Sequence, residues 1–175
     1  MTPLRSPFDY CPHCARQSDC ASPREFGCAH CGFRYFHNVA AAAAAFVVHD
    51  GHLLLTRRAL APAAGMLDLP GGFVDPHESL EETLVRELDE ELGFVVAPSA
   101  LRYLVSLPNI YEFAQVTYAT SDCFFRIDCT TRPALLARDE VAEAMWVAFG
   151  EIVPEEIGLT SARAAVVRWL AGACK

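Results

Sequence analysis

A mixed α/β sandwich behind a short cysteine-bearing segment is the architecture that this 175-residue sequence predicts. Three observations predict it. Two cysteine pairs, Cys11/Cys14 and Cys28/Cys31, open the chain in a stretch too short and too polar to build its own core. Strand patterns precede and follow helical patterns without the regular alternation that builds a doubly wound sheet. With 53% hydrophobic residues, the remainder can bury one sizeable core. We read residues 1–38 as the small segment and 39–175 as the main domain.

The opening MTPLRSPFDY lacks a basic start followed by an apolar run, and no stretch of about 18 apolar residues follows. The expectation is no signal peptide, no membrane partner and a cytoplasmic location. The net charge of −8 is uneven: residues 1–38 carry four arginines against three acids, which leaves about −9 on the rest. That balance speaks against a nucleic-acid partner. It fits neutral or cationic ligands, or a metal ion mediating between acids and an anionic small molecule.

Cys11-Pro-His-Cys14 and Cys28-Ala-His-Cys31 are separated by 13 residues. Two such turns can present four thiolates to one tetrahedral Zn2+ ion, and Gly32 is well placed to close the second turn. Four thiolates close the coordination sphere, so this zinc ribbon would be structural and not catalytic. His13, His30 and Cys20 are read as surface residues.

Val39–Arg58 begins with six alanines, which favour helix by propensity. The flanking FVV and LLLT around His49-Asp50-Gly51-His52 argue instead for two antiparallel strands joined at Asp-Gly. Alanines in the first strand would let another element, or a flat ligand, approach the sheet closely. Ala61–Gly72, with two prolines and three glycines, is expected to be loop, and Gly71-Gly72 could bring backbone close to a ligand. Glu78–Leu92 has leucine at 80, 84, 88 and 92 and Gly93 at the expected stop, the pattern of a helix. RYLVSL, QVTYATSDCFFRI and EAMWVAF then read as strands, and Ser161–Leu170 as a closing helix.

The helix at Glu78–Leu92 carries seven acids against Arg86 alone. At about 100° per residue, Glu87 and Glu91 fall within about 20° of Leu80, at the margin of the buried stripe. A bare carboxylate there is costly. Glu87, Asp89, Glu90 and Glu91 also crowd the C-terminal end, where the helix dipole disfavours each by up to about 1 kcal/mol. Arg86 can neutralise one; hard divalent cations, Mg2+ or Mn2+, suit the rest. A Gly-Gly loop entering such a helix could hold a metal-bound di- or triphosphate for attack by water, with a free glutamate taking the proton.

Gly72, Glu78, Arg86-Glu87-Leu88, Glu90-Glu91 and Gly93-Phe94 fill every defined position of GX5EX7REUXEEXGU. The chain thus resembles the Nudix hydrolases from the hairpin to the last helix. The resemblance implies a Nudix α/β/α sandwich and hydrolysis of a nucleoside diphosphate linked to another group X. It implies Glu87, Glu90 and Glu91 as metal ligands or base, the Gly71 carbonyl in the metal sphere, Arg86 orienting the catalytic glutamate, and Glu78 supporting the loop. The base would be Glu87 or a residue outside the box.

The ribbon in front is similar to that of the zinc-ribbon NADH pyrophosphatases. Their pattern E-x-x-E-A-x-W is matched by Glu140-Val-Ala-Glu143-Ala-Met-Trp146, which implies Glu140 as an outer metal ligand. Their S-Q-P-W-P-F-P is not: Ser106-Leu-Pro108-Asn-Ile-Tyr-Glu-Phe113 keeps the serine and first proline alone. Tyr111 and Phe113 could still stack on a base. Arg57 and Arg58 end the second hairpin strand, one placed to contact phosphate or ribose and the other to be solvated. The expected substrate is a small nucleotide, ADP-ribose-like or a dinucleotide, with NADH next. The competing reading is a nucleotide sensor that binds without cleaving. Nudix enzymes often dimerise, and the ribbon could serve a homodimer.

Overall fold

The computed structural model describes residues 8–17, 24–114 and 116–173. Strands β1 (Glu25–Gly27) and β2 (Arg34–Phe36) pair antiparallel in a small ribbon. Behind it lies a seven-stranded mixed sheet of β3 (Ala40–His49), β4 (His52–Arg58), β5 (Leu67–Asp68), β6 (Gly71–Phe73), β7 (Arg102–Phe113), β8 (Val116–Asp128) and β9 (Val141–Ala148). Helix α1 (Leu80–Leu92) covers one face and α2 (Thr160–Leu170) the other, the α/β/α sandwich with a mixed sheet that the resemblance implies.

Strand β3 is central because both of its faces are apolar. Successive side chains alternate, so Ala43, Ala45 and Val47 pack with Leu84, Leu88 and Leu92 of α1. Phe46 and Val48 pack with Ala162, Ala165 and Val166 of α2. The six alanines therefore extend: their advantage in a helix is below about 0.7 kcal/mol per residue, whereas parallel pairing to β8 runs from Ala40↔Thr120 to Val48↔Asp128. The Asp50-Gly51 turn has φ of 42° and 72°, the left-handed pair that matches hairpin twist.

Beyond that turn, β3 and β4 pair at Val48↔Leu53 and His49↔His52 and then diverge. The opening is filled by residues 67–73. The sequence pattern predicts loop throughout Ala61–Gly72, and the structure corrects this: β5 pairs with β4 at Thr56 and Arg57, and β6 pairs with β3 at Ala42–Ala44. The diverging strands would otherwise leave backbone donors and acceptors unpaired, which overrides local propensity. Similarly, β7 continues past Pro108 to Phe113, where the predicted strand stops at Leu107. Pro108 is tolerated because β7 is an edge strand bonded to β8 alone.

Helix α1 starts at Leu80, two residues later than the leucine pattern suggests, because Ser79 caps it. The Ser79 hydroxyl accepts from the Glu82 N–H at 3.2 Å, and Glu82 accepts from the Ser79 N–H at 2.8 Å. At the other end Gly93 is left-handed, with its N–H donating to Asp89 and that of Phe94 to Leu88. Caps at both ends fix the helix axially, and Glu78 is left outside it with its carboxylate free to turn back.

Candidate functional site

The ribbon's sulfurs converge. Cys11 Sγ lies 3.7 Å from Cys31 Sγ, Cys14 Sγ lies 3.7 Å from Cys28 Sγ, and all four lie within 4.8 Å of one another. A tetrahedron with bonds of about 2.3 Å has edges of about 3.8 Å, so the cluster fits a four-thiolate zinc site. Both knuckles close left-handed, at Ala15 (φ 58°) and Gly32 (φ 74°). Backbone N–H groups, first that of Cys31, lower the Cys28 thiol to about 6. His13 stacks on Phe33 and His30 Nδ1 accepts from Arg16 Nη1, so neither joins the cluster; Cys20 lies outside the described residues.

The acidic helix is organised by Arg86. Its Nε and Nη2 donate to both oxygens of Glu78 at 2.8 and 3.0 Å, and Nη1 donates to Glu87 at 2.8 Å and Glu90 at 2.9 Å. Nη2 also reaches the Phe73 carbonyl at 3.2 Å, which ties the helix to β6. Hydrogen bonds from Arg86 and Thr83 hold the Glu78 carboxyl down at about 2. Glu78 is thus a fixed anion that clamps the guanidinium.

Glu91 is positioned from the other side, where its Oε2 accepts the Gly71 N–H at 3.0 Å. Burial pushes its carboxyl up to about 8, although the Gly71 amide works against this. Burial also raises Glu87, against the pull of Arg86. The two glycines between these acids are there for space. A Cβ on Gly71, at φ 143°, would fall 2.1 Å from the Ala43 carbonyl oxygen, and one on Gly72 would fall 2.3 Å from Glu87 Oε1. The structure therefore brings Glu87 and Glu91 against the Gly71-Gly72 backbone, with Glu90 on the more exposed side of Arg86. Among the described residues the four cysteines alone form a metal-ready group within 4.8 Å; the glutamates are drawn apart by Arg86 and Gly71. Their carboxylate oxygens still match the preference of a hard divalent cation.

A cavity of about 110 Å³ opens from this cluster across the α2 face of the sheet. Gly71, Gly72, Glu91 and Glu140 line it, together with Asn109, Thr120, Asp122 and Ser161. Of the two arginines, Arg58 lines the cavity. Burial opposes its charge, but Asp68, bonded to Nη1 at 2.9 Å, and the Tyr111 hydroxyl overcome that and raise its pKa. Arg57 faces elsewhere, bonded to the Gly65 carbonyl at 2.8 Å and to Glu143 at 3.4 Å. Tyr111 is in the wall, edge-on to Phe73 at 5.2 Å; Phe113 stacks outside it at 6.5 Å and is 56% exposed.

Sequence reasoning missed the buried polar set. Asp68 and Asp122 are 6% and 8% exposed. Asp122 accepts from Thr120 at 2.6 Å and from Ser161 at 2.5 Å. The available signal was polar residues at Thr120 and Asp122 in the period-2 register of core Phe124.

The family pattern described as NUDIX domain matches residues 38–170. An ADP-ribose pyrophosphatase of Methanocaldococcus jannaschii is 35% identical over 77 residues, 44% of this chain and 46% of that protein. An NAD-capped RNA hydrolase, NudC, of an Enterobacter species is 28% identical over 125 residues, 71% of this chain and 45% of that protein. The chain therefore spans less than half the length of these relatives. The crystal structure of a NUDIX hydrolase from Nitrosomonas europaea superposes with a TM-score of 0.70 at 20% identity, covering 94% of this chain and 91% of that one. At that identity the likeness is one of fold.

Proposed function

Because this chain belongs to the NUDIX family, as a hydrolase by its relatives, we propose that it hydrolyses the pyrophosphate bond of a nucleoside diphosphate linked to X, ADP-ribose-like or a dinucleotide, with Mg2+ or Mn2+. The observation that carries this is the packing of two carboxylates, Glu87 and Glu91, against the Gly71-Gly72 backbone, with Glu91 and both glycines lining a cavity. When bound, a divalent cation supplies charge neutralisation for the phosphates and a lowered pKa for an attacking water.

The chain's own residues divide the remaining work. Glu87, Glu90 and Glu91 would supply hard oxygen ligands to the cation, joined by the Gly71 carbonyl and, as outer ligand, by Glu140, which lines the cavity. Glu87, whose carboxyl is raised by burial against the pull of Arg86, is the carboxylate we assign as proton acceptor. Arg86, clamped by Glu78, is a positioning residue that fixes Glu87 and Glu90. Arg58 offers a cation to phosphate or ribose, and Tyr111 and Phe113 offer aromatic surface. Residues 1–38 form a structural zinc ribbon, and 39–175 the catalytic domain.

The test is a panel of ADP-ribose, NADH, NAD, dinucleoside polyphosphates and nucleotide sugars, with Mg2+ or Mn2+, for wild type beside Glu91→Gln, with products identified by mass. Cleavage at the diphosphate by wild type, lost more than tenfold in Glu91→Gln, supports the reading. Tight binding without cleavage replaces it with the sensor. A zinc analysis of the purified chain that finds none removes the ribbon.

A further inference from the structure

Asn109 sits in the middle of edge strand β7, is 7% exposed and lines the cavity. Among the described residues nothing hydrogen-bonds to its side chain, while the neighbouring Thr120, Asp122 and Ser161 are bonded to one another. Its amide is not sealed in the core: among the described residues His37 Nε2 is the one enclosed side-chain polar atom without a partner, so the unbonded Asn109 amide opens onto the cavity, where it is free to bond what lies there.

The amide offers a donor and an acceptor side by side. Its natural complement is a planar ring edge with the reciprocal pair, the arrangement by which asparagine reads adenine. One feature favours an amino-bearing edge over a keto one: the cavity lining includes two buried carboxylates, Asp68 and Asp122, which favour donors in the ligand. Tyr111, two residues along β7 and so on the same side of the strand, stands edge-on to Phe73 and gives a ring an apolar surface beside the amide.

We propose that Asn109 is the specificity residue of this site: it hydrogen-bonds the base of the substrate and selects one with an amino group beside a ring nitrogen, of the adenine or cytosine type, over a keto base. This rests on the nucleotide-hydrolase reading above. It also gives the cavity lining two roles, the glutamates for the diphosphate and Asn109 for the base.

The test separates base recognition from chemistry. AMP and IMP differ at the amino group, so their affinities for the full chain are measured by calorimetry, which needs no turnover. Wild type should bind AMP about tenfold or more tighter than IMP. Asn109→Leu and Asn109→Ala, checked for folding by thermal melt, should bring the ratio within twofold, mainly by weakening AMP. The kcat/KM ratio for ADP-ribose against its hypoxanthine counterpart should collapse in parallel. Equal binding, binding of neither, or preference for IMP in wild type overturns the proposal, as does a ratio preserved in the folded variants. If the AMP/IMP ratio behaves as expected while no diphosphate is cleaved, the hydrolase reading fails and the assignment of Asn109 stands. Cleavage with an unchanged ratio in the variants gives the reverse.

Discussion

Replacing Gly72 by alanine is expected to disable the site while sparing the fold, and the structure gives the size of the effect. The added Cβ falls 2.3 Å from Glu87 Oε1 and 2.4 Å from its Cδ, where ordinary contact begins at 3.4 Å, so the carboxylate must retreat by about 1.1 Å. What gives way is the end of a flexible side chain, and Gly72 lacks the left-handed φ that would strain an alanine. Unfolding stability should change by no more than about 1 kcal/mol. A catalytic group displaced by about 1 Å costs on the order of a hundredfold, so kcat should fall by that factor. Gly71→Ala is the contrast. Its Cβ meets the backbone of the central strand, 2.1 Å from the Ala43 oxygen and 2.7 Å from the Ala44 Cα, at a φ of 143°. The β3–β6 pairing must open, a loss of about 3 kcal/mol or more. The assay is urea unfolding of both variants with steady-state hydrolysis of the substrate found in the panel. A Gly72→Ala enzyme within threefold of wild-type kcat, or one as unstable as Gly71→Ala, refutes the reasoning.

Burial holds the Glu91 carboxyl at about 8 in the folded, metal-free chain against an ordinary 4.5, so between those values the folded state binds its proton more tightly than the unfolded state. The stability contributed by Glu91 in the metal-free chain should be complete below pH 4.5 and decline as pH rises toward 8. The limit is on the order of 5 kcal/mol; Glu91→Gln should flatten the decline, and urea titrations in chelator at intervals across that range measure it, a flat wild-type profile counting against the buried charge. Ser161→Ala removes one of the two side-chain donors to buried Asp122 and should cost about 1–3 kcal/mol in thermal unfolding, with a cost near zero ruling out that bond. Cys28→Ser should lose bound zinc and the pairing of β1 with β2 while the domain behind melts as before; a common shift of both would mean that ribbon and domain fold as one unit.

Much of the site was legible because its chemistry is written in one continuous stretch. The leucine spacing places Glu87 and Glu91 at the margin of a buried face, and the structure finds Glu91 against Gly71 there. The cysteine spacing is equally local and the four sulfurs converge. What the sequence hid is what depends on strands meeting from distant positions. Asp122 belongs to the cavity because β8 lies parallel to β3, and Ser161 reaches it from 39 residues away. The short strands β5 and β6 were hidden because their cause is the divergence of β3 from β4, a property of the sheet and not of residues 67–73. Arg57 and Arg58, adjacent in sequence, fall on opposite sides of β4 by strand alternation, so pattern alone leaves the choice between them open.

The alanine run of β3 bears on which ligands fit. On the side facing the cavity the residues grow along the strand, from Ala42 and Ala44 to Phe46, so the strand forms a ramp that is low beneath the ligand and high beyond it. Neither Ala42 nor Ala44 supplies a polar side-chain group. Adding one methyl or ethyl branch there would raise the ramp and shorten the ligands admitted, with Arg86, Glu87 and Glu91 untouched. The reach of the cavity and the carboxylates beside it thus rest on different residues, so substitutions at two small positions could change which ligands fit while the acidic helix stays as it is. A library at positions 42 and 44, screened for a change in which ligands are cleaved at constant metal dependence, would measure how far that separation holds.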